Sequence, residues 1–168
     1  DPGGLSATGA TSVTVASVND APVVKAVPAS TFNEDQSTQI DLAPYGSDID
    51  GDALTWVATS ANQNVTASIV GSMLSLAAAE NWNGGPVNAT VTASDPGGLN
   101  ARTRVRVTVT AVNDVPVLSP IPPVNLSEDG SERLNLYELI ADVDNTDQQQ
   151  TVTYSGNTRV KVNIRRGI

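Results

Sequence analysis

A pentapeptide occurs twice in this chain. Asp1-Pro2-Gly3-Gly4-Leu5 returns as Asp95-Pro96-Gly97-Gly98-Leu99, an offset of 94 residues. Val18-Asn19-Asp20 returns as Val112-Asn113-Asp114, Glu34-Asp35 as Glu128-Asp129, and Asp48-Ile49-Asp50 as Asp142-Val143-Asp144, all in that register. Four motifs at one spacing are a tandem repeat whose period is the length of one small domain. The register divides the chain. Residues 1–19 correspond to the C-terminal end of a preceding repeat, 20–113 to one complete repeat, and 114–168 to the truncated N-terminal half of a following one. The last carries about four extra residues around Asp147-Gln148-Gln149-Gln150.

Within the complete repeat the hydrophobic period is two. Val105, Val107 and Val109 alternate with Arg104, Arg106 and Thr108, as residues do when they point to opposite faces of a sheet. Val87, Ala89, Val91 and Ala93 alternate with Asn88, Thr90 and Thr92 in the same way. Ile40 and Leu42 flank Asp41, Leu54 and Trp56 flank Thr55, and Met73-Leu74-Ser75-Leu76 follows a hairpin signal at Gly71. No segment carries a helical stripe. Seven strands are expected, over 22–32, 37–43, 53–60, 64–70, 72–79, 86–94 and 101–111. Seven short strands in one such repeat predict an all-β fold, a seven-stranded antiparallel Greek-key sandwich repeated in tandem.

Composition narrows the chemistry. There is no cysteine, which removes disulfides, thiolate catalysis and zinc–thiolate sites. There is no histidine, the commonest general base and transition-metal ligand. With 18 acids against 9 bases the net charge is −9, the wrong sign for nucleic acid. No apolar run has the length of a membrane helix. What remains is a protein whose carboxylates hold hard cations or keep it soluble.

Strand parity says where those carboxylates go. If successive strands alternate in direction, the second, fourth and sixth connections lie at the pole where the repeat begins. Asp48, Asp50 and Asp95 sit on two of these connections, and the entering linker adds Asn19 and Asp20. Glu34, Asp35 and Glu80 fall at the opposite pole, where the exit linker brings Asn113 and Asp114 and the next repeat adds Asp142 and Asp144. So many carboxylates repel one another. Calcium, which takes about 6–8 oxygen ligands, resolves that conflict. Aspartate and asparagine are also common turn formers, the plainer explanation of the same residues.

The linker Val18-Asn19-Asp20-Ala21-Pro22, the Asp48-Ile49-Asp50 loop and Ala93-Ser94-Asp95-Pro96-Gly97-Gly98 resemble the corresponding motifs of cadherin domains. Taken over its whole length, the chain looks like the bacterial cadherin-like, Ig-like repeats of large surface adhesins and secreted proteins. The resemblance implies calcium held between successive sandwiches, with Glu34 as the glutamate after the first strand and Glu80 in the acidic motif before the sixth. The chain departs from the family where Ser17 and Ala111 replace an upstream linker aspartate, and where Asn81-Trp82 follows Glu80 without a second acid.

Other motifs have weaker claims. Asp48-Ile49-Asp50-Gly51-Asp52 is no EF-hand, because its glycine comes too early and Thr59 stands where the closing glutamate belongs. Asp52 is matched by Thr146 in the repeat and reads as a turn residue. Trp56 reads as core. Trp82-Asn83-Gly84-Gly85 reads as an aromatic staple at the sandwich end, with a sugar-stacking platform as the alternative. Arg102, Arg104 and Arg106 form a basic stripe, replaced by Thr8, Ala10 and Ser12 in the earlier copy. Edge protection is its first explanation, and contact with acidic polysaccharide the second. Lys25 and Lys161 are the only lysines, thin support for an internal Lys–Asn crosslink.

The sequence therefore predicts a non-enzymatic, calcium-binding extracellular repeat, a rigid stalk or adhesion segment of a bacterial surface or secreted protein. Its partners are the adjacent repeats of the same chain, with polysaccharide or self-association as further candidates, and neither nucleic acid nor membrane insertion. A carbohydrate-binding module of a polysaccharide-active protein and a homophilic adhesion domain are the alternatives. Calcium modules of this extracellular type bind with Kd of order 10⁻⁴–10⁻³ M.

Overall fold

The computed structural model describes residues 2–4, 6, 8–146, 149–156 and 161–164. Asp1, Leu5, Asp147, Gln148, Arg159, Arg165 and Arg166 lie outside the described residues. Among the described residues eleven strands run in chain order: β1 Val23–Val24, β2 Ser30–Asn33, β3 Ser37–Asp41, β4 Gly46–Ser47, β5 Thr55–Ser60, β6 Val65–Val70, β7 Met73–Ala78, β8 Gly84–Ser94, β9 Asn100–Thr110, β10 Val117–Leu118 and β11 Ile140–Ala141. Short 3-10 turns at Ala43–Tyr45 and Tyr137–Leu139 precede β4 and β11.

Two sheets face each other. One has the order β2-β9-β8-β5, the other β3-β7-β6. Together they make the Ig-like sandwich that the period-two pattern predicts. Its core interleaves Ala89, Val91, Val105, Val107 and Val109 from the first sheet with Val65, Leu74 and Leu76 from the second. Leu42, Leu74, Leu76, Val91, Val105 and Val107 are fully buried. The β6–β7 hairpin turns through Gly71 and Ser72 between paired Val70 and Met73, with Gly71 at φ +62°. A two-residue loop of that kind needs positive φ at its first position, which is why glycine stands there.

The expected first strand, 22–32, is divided. Its start, β1, pairs antiparallel with β4, while its end, β2, pairs parallel with β9. Pro28 lies in the gap and cannot donate to a ladder. The chain thereby crosses from one pairing to the other, and buried Val27 seals the crossing. One pair of the sandwich is thus parallel, as strand parity requires when first and seventh strands become neighbours.

Residues 8–22 form no strand, and Val13, Val15 and Val18 are exposed. After β9 the local structure of the repeat's beginning returns. Val117 pairs with Ala141 and Leu118 with Ile140, as Val23 pairs with Ser47 and Val24 with Gly46. The Lys25 N–H to Tyr45 carbonyl bond returns as Ser119 to Leu139, both at 2.7 Å. Asp35 and Asp129 share a left-handed backbone at φ 59° and 58°, a conformation that aspartate tolerates better than most residues. Among the described residues the buried apolar core lies entirely within 27–109.

Candidate metal centre

The loop after β4 is built on an Asx turn: Asp48 Oδ1 accepts the Asp50 N–H at 2.8 Å. Gly51 follows at φ +81° and reverses the chain. That turn aims Asp50 at the linker, where Asp50 Oδ2 accepts the Asp20 N–H at 2.8 Å. The β8–β9 turn is capped in turn by its own aspartate. Asp95 Oδ1 accepts the Leu99 N–H at 2.9 Å, and Asp95 Oδ2 takes the Asn19 amide at 3.0 Å. Gly97 leaves room for this contact, since a Cβ there would lie 2.7 Å from Asn19 Nδ2. The five residues assigned by parity to the entering pole, Asn19, Asp20, Asp48, Asp50 and Asp95, therefore meet at one end of the sandwich. Asp20 and Asp48 line one shallow depression there with Ala21, Val23, Ser47 and Ile49.

The exit pole repeats part of this pattern. Asp144 Oδ2 accepts the Asp114 N–H at 2.6 Å, and Asp142 Oδ1 accepts the Asp144 N–H at 2.9 Å. Glu34, 2% exposed, spends Oε1 on the Val112 N–H at 2.6 Å and Oε2 on the Asn83 amide at 3.2 Å. It thus anchors the exit linker. Loss of solvent, followed by the charges of Asp144, Asp35, Glu34 and Asp142, pushes the Asp114 carboxyl above its ordinary value. Glu34, Asp35, Asp142 and Asp144 thus lie within electrostatic reach of Asp114. The Glu80 side chain is exposed and, among the described residues, makes no hydrogen bond, while the N–H of the next residue, Asn81, is bound by Asp35 Oδ1 at 2.9 Å. Asn113 is held at the same end by the Asn145 amide, which donates to Asn113 Oδ1 at 3.0 Å.

The bacterial Ig domain profile matches residues 19–110. The chain belongs to the bacterial Ig domain family. No curated protein matches it. Among solved structures it is similar to a nucleoside hydrolase-related hypothetical protein from Saccharophagus degradans, associated with carbohydrate metabolism. That match has 19% identity and a TM-score of 0.47, over 55% of this chain and 26% of that one. An endo-fucoidan hydrolase of glycoside hydrolase family 107 is similar at 22% identity and TM-score 0.43, over 58% of this chain and 16% of the other. The PKD domain of the KIAA 1837 protein is similar at 17% identity and TM-score 0.41, over 57% of this chain and 93% of that one. The chain thus spans about a quarter of the first of these structures.

In this Ig domain the acids fit a hard cation in donor chemistry, since every candidate ligand is an oxygen. Two carboxylate oxygens fit it more specifically. Asp48 Oδ2 and Asp114 Oδ2 are shut off from solvent without a hydrogen-bond partner, a costly state for a carboxylate. Among the described residues no three acidic side chains are gathered closely enough to hold a metal as they stand. Many of their other oxygens are instead turned toward backbone N–H groups.

One difference between the two poles lies at Asp142, the repeat counterpart of Asp48. Asp142 Oδ2 accepts the Gln150 amide at 2.7 Å, and its Oδ1 also accepts the Asn145 N–H and side-chain amide. Burial alone would raise the Asp142 carboxyl, but these bonds outweigh it and hold the group below its ordinary value. Asn83, Asn145 and Gln150 were not among the residues expected from sequence. The extra residues around 147–150 were the one available signal for Gln150. Trp82 packs against the core cluster and lies over Gly84, whose added Cβ would be 3.2 Å from Trp82 Cζ2. That arrangement is the staple. Among the described residues no helix is long and apolar enough to cross a membrane.

Proposed function

We propose that this bacterial Ig domain chain is a calcium-rigidified segment of an extracellular stalk, carried by a surface adhesin or large secreted protein. In this reading residues 20–113 are one complete repeat, 1–19 end the preceding repeat and 114–168 begin the next. Calcium sits where one repeat meets the linker and the next. At the entering pole Asp20, Asp48, Asp50 and Asp95 would hold it, with Asn19. At the exit pole Glu34, Asp114, Asp142 and Asp144 would, with Asn113. Glu80 joins only if its exposed side chain turns inward.

The observation that carries the reading is the pair of buried, unpartnered oxygens, Asp48 Oδ2 and Asp114 Oδ2. Asp48 lies beside the entering linker and Asp114 in the exit linker. In each linker a backbone N–H is already bound by an aspartate, that of Asp20 by Asp50 at 2.8 Å and that of Asp114 by Asp144 at 2.6 Å. A cation supplies the missing partner and cancels the repulsion on Asp114. It also ties the linker to both adjoining turns, so its role is mechanical. The acids serve the junctions rather than catalysis, because they recur with the repeat. Adjacent repeats of the same protein are then the principal partners.

The test compares thermal unfolding and small-angle scattering in millimolar calcium and in chelator. Calcium is expected to raise the melting temperature and lengthen the particle, because a ligand that binds the folded form stabilises it. Identical melting and scattering under both conditions overturns the proposal.

A further inference from the structure

The four strands of the β2-β9-β8-β5 sheet contain no aspartate or glutamate, in a chain that has 18 acids. The outward face of this sheet instead carries Arg102, Arg104 and Arg106, all exposed on β9. They are three of the five basic residues in 1–158. Among the described residues none of the three side chains makes a hydrogen bond or an ion pair. Alternate residues on a strand stand about 6.6–6.8 Å apart, so the three guanidinium groups form a straight row about 13 Å long at their Cα atoms. Their cross-strand partners on β8 are Thr92, Thr90 and Asn88, short polar groups that leave the row open.

Edge protection accounts for this row only in part. β9 is paired with β8 along most of its length but with β2 only from Val107 onward, so the three arginines do lie on a stretch open on one side. A lysine or arginine that guards an edge needs no aligned companions. The earlier copy of the repeat has Thr8, Ala10 and Ser12 at these positions, so the fold does not require the arginines.

We propose that this face binds a linear anionic polysaccharide, its sulfate or carboxylate groups paired with Arg102, Arg104 and Arg106 and its hydroxyls with the flanking threonine and asparagine side chains. Guanidinium forks pair bidentately with such oxyanions. The surroundings exclude other occupants. A protein interface has an apolar or aromatic centre, and the exposed apolar residue here is Val57, on the β5 edge. Single-stranded nucleic acid is held by stacking on aromatic rings, and no aromatic side chain lies on this outward face. This binding is independent of calcium and of the junction carboxylates.

The test uses the full chain in chelator, with immobilised dextran sulfate, polygalacturonate, neutral dextran and a DNA oligonucleotide as probes. Retention on dextran sulfate or polygalacturonate, and not on neutral dextran, is expected. The variant carrying Arg102→Ser, Arg104→Ser and Arg106→Ser together should lose at least about tenfold in affinity and much of the salt dependence. Arg133→Ser, an exposed base elsewhere, should bind as the parent does. Should the triple variant fail to fold, Arg104→Ser alone reports through a smaller loss. Equal binding to DNA, binding that appears only with calcium, or a folded triple variant that binds unchanged and merely self-associates would each overturn the proposal.

Discussion

The Asn19 side-chain amide donates to Asp95 Oδ2 at 3.0 Å, joining the entering linker to a turn 76 residues away in sequence. Asp95 is 5% exposed and also caps its own turn through the Leu99 N–H. Replacing Asp95 with alanine leaves both donors short of a partner. A loss of about 1–3 kcal/mol is expected, read from denaturant unfolding midpoints at constant slope. Asp95→Asn keeps the shape and part of the bonding and should cost less. An alanine variant as stable as the parent would show that this clamp contributes nothing to the fold.

Gly97→Ala separates the clamp from the fold. The new Cβ lies 2.7 Å from Asn19 Nδ2, the movable end of an exposed side chain. The core is untouched, so the unfolding free energy should change by less than about 1 kcal/mol. The Asn19 amide must move, and its side-chain resonances should shift in NMR spectra. Unmoved resonances would mean that the glycine is there for the turn alone.

Most of the sandwich was legible because its signal is local. Alternation in 86–94 and 101–111 needs nothing beyond the pleat, and Gly71 marks its hairpin by a backbone requirement. The division of 22–32 was not legible, because Val23-Val24 and Ser30-Asn33 are equally extended and differ only in which strand they reach. The same distinction applies to the acids. Parity assigned Asn19, Asp20, Asp48, Asp50 and Asp95 to one end, and they meet there. Parity could not say which oxygens backbone N–H groups would occupy. Asn145 and Gln150 went unseen as partners of Asp142 because amide side chains carry no charge to flag them. Glu80 shares the pole of Glu34 by strand count, but strand count does not say whether a side chain there is buried, and Glu80 is exposed.

The energetic centre of the fold lies between the sheets. Leu74 is fully buried on β7, facing the valines of β8 and β9. Leu74→Ala removes that burial and leaves a cavity, at a cost of about 2–5 kcal/mol. Val70, 82% exposed on the neighbouring strand, should tolerate Val70→Thr within about 0.5 kcal/mol. Comparable losses from the two substitutions would contradict the assigned sheet faces.

The junction gives a pH dependence of definite sign. The Asp114 carboxyl lies above its ordinary value of 3.8, chiefly through lost hydration and then through the charges of Asp144, Asp35, Glu34 and Asp142. The folded state therefore favours the protonated form. Its contribution to stability is fully present below pH 3.8 and is lost as pH rises through the raised value. Asp41 and Asp142 act oppositely. Hydrogen bonds from Ala43 and Ser72 lower Asp41, and bonds from Asn145 and Gln150 lower Asp142 against its burial. Their contributions are present above 3.8 and are lost as pH falls through their lowered values. The window just above 3.8 thus belongs to Asp114 among these three. In chelator, Asp114→Asn should match the parent at the acid end of that window and become the more stable protein as pH rises through it. If calcium binds at this junction as proposed, it should help the parent more than the variant at neutral pH, because the variant would lack one of the proposed carboxylate ligands. Parallel stability curves for the two proteins across that window would show that Asp114 carries no such strain.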